Sequence, residues 1–149
     1  MSREMDDSLH RQITSLTDEG NALADSNRFA EAAAKFRSAL ELVPDPKDDW
    51  DAATWIYASI GDVLFLDGQF DDAFEALQLA LRCPNGVGNL FIHLRVGQIH
   101  FERNDMHAAA QELTLAYMGA GREIFEGEDP KYFNLLKQVL KPPIGQDEL

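Results

Sequence analysis

Residues 57–80, YASIGDVLFLDGQFDDAFEALQLA, decide the fold. Gly61 is followed at offsets of 12, 16 and 19 by Ala73, Leu77 and Ala80, and the polar break Asp67-Gly68-Gln69 separates two apolar runs. The same offsets recur upstream, from Gly20 to Ala32, Phe36 and Ala39, and downstream, from Gly97 to Ala109, Leu113 and Ala116. Pro44 closes the first segment at offset 24, Pro84 closes the second one residue short of that offset, and no Pro closes the third.

Within each segment apolar residues return every three or four positions, the period of a helix buried along one face. Leu9, Ile13, Leu16 and Leu23 mark one helix, and Phe29, Ala32, Phe36, Ala39 and Leu40 mark the next. Asp25-Ser26-Asn27 and Asn104-Asp105 break the other two segments as Asp67-Gly68-Gln69 breaks the middle one, with residues suited to turns and caps. No sustained two-residue alternation is present, so strands are not expected. A Gly in the first helix and an Ala in the second let two backbones approach at their crossing, while the larger Phe or Leu fills the space beside it. Such pairs cannot bury their apolar faces alone, so they stack.

The chain has 149 residues, of which 45% are hydrophobic and 26% charged, the balance of one ordinary globular domain. Its 13 Lys and Arg against 26 Asp and Glu leave a formal net charge of −13. A surface this acidic repels phosphate backbones, which argues against nucleic-acid binding. The charge is skewed: residues 1–75 carry a net −11 and residues 76–149 a net −2. That field serves solubility, or steers a basic partner towards the amino-terminal half. The one cysteine, Cys83, cannot form an internal disulfide. Met1 to Asp7 holds no apolar leader segment, and no stretch approaches the roughly 20 apolar residues of a membrane span, so a soluble cytoplasmic protein is expected.

The spacing resembles the tetratricopeptide repeat (TPR), whose pattern runs W-x2-L-G-x2-Y, then A-x3-F and P. The middle segment is most similar, with Tyr57 in the Trp slot, Ile60-Gly61, Leu64, Ala73 and Leu77. The first offers Leu16, Glu19-Gly20, Leu23, Ala32, Phe36 and Pro44, and the third His93, Val96-Gly97, His100, Ala109 and Leu113. The resemblance implies an all-α, right-handed α-solenoid: three TPR-like helix pairs, about residues 13–46, 47–86 and 87–125, and a C-terminal capping helix at about 130–141, in a single domain.

Two departures carry expectations of their own. Gly20 to Gly61 is 41 residues and Gly61 to Gly97 is 36, against about 34 in the family. The excess of 7 falls at Pro44 to Asp51 and equals about two helical turns, which predicts that the first helix of the second pair begins near Lys47 and projects beyond its neighbours. The second helix of the third pair is expected to run on to Phe125, until Gly127 and Pro130 stop it. A last helix, Lys131 to Leu140, ends before Pro142-Pro143 and either covers the last pair or folds into the groove as a regulator.

Nothing in the sequence points to catalysis. His93, His100 and His107 are spaced by seven, not by the four that puts two zinc ligands on one helix face, and the first two stand in slots for large packed side chains. They read as packed or rim histidines, with no metal and no cofactor expected. Gly86-Val-Gly88 and Gly119-Ala-Gly121 lack the Lys-Ser/Thr of a P-loop. Cys83, at a helix end before Pro84, reads as a structural thiol, and Asp48-Asp49 and Asp71-Asp72 as helix-start carboxylates.

In the TPR family the first helix of each pair lines a concave surface that faces a ligand. By position the resemblance assigns to it Thr17, Asp18, Asn21 and Asp25; then Trp55, Ser59, Asp62 and Phe65; then Phe91, Leu94, Arg95, Gln98, Phe101 and Glu102. The aromatics either anchor a partner or belong to the core. The clamp that grips chaperone C-terminal carboxylates is matched at Asn21 and Arg95 only; Thr17, Ser59 and Phe91 stand where it has Lys, Asn and Lys, so chaperone-tail binding is disfavoured. Trp55-Ile-Tyr57, Phe91-Ile-His-Leu-Arg95 and Glu128-Asp-Pro-Lys-Tyr-Phe133 are similar to strings in small stand-alone bacterial TPR proteins, some of them immunity or accessory partners of polymorphic toxins. The expected function is a non-enzymatic protein-protein interaction module, binding a basic protein or peptide through Asn21, Trp55, Asp62, Phe65, Phe91, Leu94, Arg95, Gln98 and Phe101. The alternative is a self-assembling scaffold or homodimer, joined through the aromatic strip and extended helices near Trp50.

Overall fold

The computed structural model describes residues 5–142 and 144–149. Met1 to Glu4, part of the stretch read above for a leader, and Pro143, one of the two prolines expected after the last helix, lie outside the described residues. Among the described residues seven α-helices follow one another: α1 (Asp7–Asp25), α2 (Phe29–Leu42), α3 (Asp51–Leu66), α4 (Phe70–Leu81), α5 (Leu90–Glu102), α6 (Met106–Ala120) and α7 (Pro130–Val139). No strand occurs among the described residues, and no described helix is long and apolar enough to cross a membrane. The helices fall into two compact units, Met1–Gly88 with α1 to α4 and Asn89–Leu149 with α5 to α7.

Three hairpins, α1/α2, α3/α4 and α5/α6, are built on one plan. Each turn is closed by a residue in the left-handed region, Asn27, Gly68 or Asn104, at φ of 60°, 78° and 62°. The next backbone N–H then reaches back to the last turn of the preceding helix: Arg28 to Leu23 at 2.9 Å, Gln69 to Leu64 at 2.8 Å and Asp105 to His100 at 2.9 Å. This is the Schellman closure, which satisfies otherwise orphaned carbonyls. Of the three breaks, Asp105 alone also caps the following helix, its carboxylate accepting from Ala108 N–H at 3.1 Å.

At the three crossings the repeat spacing has a direct meaning. A Cβ on Gly20 would stand 2.6 Å from the Phe36 ring, one on Gly61 2.5 Å from Leu77, and one on Gly97 2.7 Å from Leu113. The large residue at offset 16 therefore lies directly over the glycine. The alanines at offsets 12 and 19, Ala32, Ala39, Ala73, Ala80, Ala109 and Ala116, are all fully buried. Small residues bring the helices together and one large residue per pair keys into the glycine gap.

Two expected helix limits are corrected. The first helix of the second pair does not start near Lys47. Lys47–Asp49 is a single 3-10 turn, and α3 begins at Asp51. Pro44 and Pro46 hold the preceding residues away from helical geometry, and Trp50, extended at φ −116° and only 6% exposed, anchors the connection in the core. The seven extra residues thus form a packed connection, and Trp50 is not on a projecting helix. Nor does α6 run to Phe125. Gly121 caps it at φ 76°, and Arg122–Phe125 forms a separate 3-10 turn whose Phe125 is buried.

The last helix starts at Pro130, one residue earlier than expected, with Asp129 accepting from Lys131 N–H at 3.0 Å and Pro130 in the first turn. It stops at Val139, with Leu140 extended. Phe133 packs on Tyr117 of α6 and Phe125, with ring centroids 5.8 and 5.2 Å apart, so α7 covers the last hairpin.

Candidate functional site

In the amino-terminal unit the first helices of the two pairs carry the expected site residues. α3 is buried along most of its circumference, yet at 100° per residue Trp55, Ser59, Asp62 and Leu66 fall within about 60° of one another. Along that line Trp55 is 39% exposed, Leu66 is exposed, and Ser59 and Asp62 are half-buried. The Ser59 hydroxyl donates to the Trp55 carbonyl at 2.8 Å, which leaves the indole as the prominent group of the strip. Phe65 lies to one side and packs on Phe70, with centroids 5.6 Å apart. On α1, Asp18, Asn21 and Asp25 are exposed, whereas Thr17 is buried and donates to the Thr14 carbonyl at 2.9 Å.

The carboxyl-terminal unit places its expected residues differently. Leu94, Arg95 and Gln98 are 1%, 5% and 0% exposed. Arg95 Nη1 donates to Gln98 Oε1 at 2.7 Å and to Glu128 Oε1 at 2.5 Å, and Gln98 Nε2 donates to the same Glu128 oxygen at 2.7 Å. The guanidinium also lies 5.0 Å from the centroid of Phe91, which is half-buried. One turn further along, Phe101 meets Tyr132 edge-on at 5.2 Å. The Tyr132 hydroxyl and Lys131 Nζ both donate to Glu102 Oε1 at 2.6 Å. The segment from Glu128 to Tyr132 therefore occupies this side of α5, and Leu94, Arg95 and Gln98 are enclosed by their own chain.

Electrostatics follow from that closure. Burial pushes the Glu102 carboxyl up, but the hydrogen bonds from Lys131 and Tyr132, with the Lys131 charge, outweigh it and hold the carboxyl below its ordinary value. Burial, and then the bond to Glu102, pushes the Tyr132 phenol well above its usual range. In the other unit, burial first and the Asp48 charge second raise the Cys83 thiol to about 11, while its Sγ donates to the Leu79 carbonyl at 3.3 Å. A thiol so placed is a poor nucleophile.

His93 Nδ1 lies 2.6 Å from Glu112 Oε2, joining α5 to α6, while His107 is exposed. Among the described residues no three His, Cys, Asp or Glu side chains are grouped to hold a metal. Sequence reading missed Glu128 and Tyr132 as the groups that close over α5. Their signal was indirect: Asp129-Pro130 announces a helix start, but no local pattern tells that the residue before it reaches an arginine 33 positions away.

No protein-family model matches the chain, and no curated protein is recognisably similar to it in sequence. Solved structures share its fold. It resembles the Yersinia enterocolitica type III secretion chaperone SycD, solved in complex with a peptide of the translocator YopD, with 14% identity and a TM-score of 0.66 over 91% of this chain and 94% of that one. It also resembles the N-terminal domain of stress-induced protein-1 (STI-1) from C. elegans, with 18% identity and a TM-score of 0.64 over 91% of this chain and all of that domain. The fold is thus all-α and TPR-like, three helix pairs followed by a capping helix.

Proposed function

We propose that this protein is a non-catalytic binding module that holds a segment of a partner protein on its amino-terminal unit, chiefly through Trp55 of α3. The carrying observation is the 39% exposure of Trp55 on a helix otherwise packed nearly all round. A large rigid aromatic at the surface, flanked by polar groups, is the usual anchor of a protein interface. Asp62 lies on the same strip, and the exposed Asp18, Asn21 and Asp25 of α1 add carboxylate and amide groups to the same unit. The net −11 of residues 1–75 favours a basic partner, attracted over a distance of about one Debye length. The likeness to SycD, solved with a translocator peptide, supports binding of a peptide segment. Phe91, Leu94, Arg95, Gln98 and Phe101 belong to the other unit, where Leu94, Arg95 and Gln98 are buried and offer no open anchor.

The finer role we infer is that of an immunity or accessory partner in the cytoplasm, neutralising a basic effector. Its support is the acidic charge and the similarity of the three short strings to small stand-alone bacterial TPR proteins. The test is co-purification with the product of the neighbouring gene, followed by titration calorimetry. Trp55→Ala should weaken that complex by about 2 kcal/mol or more, with affinity falling as salt rises. Unchanged affinity in Trp55→Ala would remove the α3 strip from the site.

A further inference from the structure

On the side of α3 roughly opposite Trp55, the buried side chains floor a cleft that opens between neighbouring helices. A cavity of about 420 Å³ lies there, between α2 and α4, within the amino-terminal unit. Its inner surface is apolar, with buried Ile60 and Leu64 of α3 beside half-buried Leu40 of α2 and Leu79 of α4. Its rim is charged and unbalanced: Glu41, Asp72 and Glu75 are exposed, with Arg37 the cation among them. None of these four has an ion-pair partner among the described residues, so the net negative charge of the rim is not neutralised from within.

An apolar floor under a carboxylate rim matches one side-chain design. Lysine and arginine bury an aliphatic stem and keep a cation at its tip. Carboxylate side chains would meet repulsion at the rim, and a purely apolar segment would leave the three carboxylates unanswered while partly desolvating them. The volume falls within the roughly 300–1,000 Å³ of binding clefts, room for a few such side chains.

We propose that the cleft between α2 and α4 is a second docking site, taking a basic amphipathic segment of a partner protein whose lysine or arginine stems lie on Leu40, Ile60, Leu64 and Leu79 and whose charges sit among Glu41, Asp72 and Glu75. It is distinct from the Trp55 strip and stands whether or not that strip binds.

The probe is a short synthetic amphipathic peptide of leucine and lysine, fluorescently labelled, with a leucine and glutamate peptide as control, titrated into the full chain at low salt. The Glu41→Gln/Asp72→Asn/Glu75→Gln variant should bind about tenfold more weakly, at about 0.5 kcal/mol per exposed charge pair. Arg37→Glu, which reverses one charge and so changes two units, should bind about fivefold more tightly. Glu123→Gln/Glu126→Gln/Asp147→Asn, which removes the same charge elsewhere, should bind as the wild type does. Methyl resonances of Ile60, Leu64 and Leu79 should shift whether or not the Trp55 indole does. An equal loss in the two triple variants, no tightening by Arg37→Glu, equal binding of the glutamate peptide, shifts confined to Trp55, or no binding at all would each overturn the site.

Discussion

Gly61 and Leu77 meet at the crossing of α3 and α4 so closely that a Cβ on the glycine would lie 2.5 Å from the leucine Cδ2. Leu77 is fully buried, so it has no open space in which to swing aside. Gly61→Ala gains about 1 kcal/mol of helix propensity and incurs about 1–3 kcal/mol of overpacking. A net loss of up to about 2 kcal/mol is expected in urea unfolding. The pairing is checked by a double-mutant cycle: in the Gly61→Ala background, Leu77→Ala should cost clearly less than alone, because the added methyl enters the space it vacates. Additive losses would show that the two residues are not coupled.

Glu128 ties the segment ahead of α7 to the enclosed Arg95 and Gln98 of α5. Glu128→Ala removes the carboxylate from a guanidinium that is 5% exposed, and a buried charge stripped of such a partner costs about 3 kcal/mol. We expect a loss of that order in thermal unfolding, with faster hydrogen exchange across Pro130–Val139. Arg95→Met combined with Glu128→Leu should recover much of the loss, because an apolar pair leaves no charge to solvate. Unaltered exchange in α7 would show that the ion pair does not hold the helix down.

What could be read in advance was local or periodic. Gly20, Gly61 and Gly97, with Phe36, Leu77 and Leu113 sixteen residues on, declared three helix crossings because the gap and its filler sit at fixed helical offsets. The left-handed turns at Asn27, Gly68 and Asn104 were likewise legible as polar breaks. The failures lie where length was converted into geometry. Seven extra residues before Asp51 read as two more helical turns, but the prolines resist helix and Trp50 prefers the core. The position of Trp55 on an accessible line of α3 was legible from its slot. The burial of Leu94, Arg95 and Gln98 was not, because it depends on where Glu128 lands after the chain turns at Gly121 and again before Pro130.

Glu102 supplies a dependence on acid. Its carboxyl is held below the ordinary value of 4.5 in the folded protein by Lys131 and Tyr132, against the opposing effect of burial. The unfolded chain therefore binds the proton first as pH falls. The stabilisation is complete above about pH 4.5 and is lost progressively as pH drops through the lower folded value. Glu102→Gln should flatten the slope of unfolding free energy against pH between about 3 and 5, and lower stability at neutral pH. An unchanged slope would mean that other carboxylates set the acid limit.

Cys83 offers a test of the packed connection that replaced the expected helix extension. Raised from 9.0 to about 11, chiefly by burial and then by Asp48, its thiol carries about a hundredfold less thiolate near pH 8 than an ordinary one. Since the thiolate is the reacting form, an aromatic disulfide reagent should label the native protein at least a hundredfold more slowly than the urea-unfolded chain. Asp48→Asn should speed native labelling slightly, by relieving the smaller cause and leaving burial intact. Trp50→Ala should speed it more, because loosening the connection that holds Asp48 near the thiol would admit water and relieve the larger cause, burial. If Trp50→Ala leaves the native rate unchanged, the connection is not what shields the thiol, and the packing of α4 alone must account for its burial.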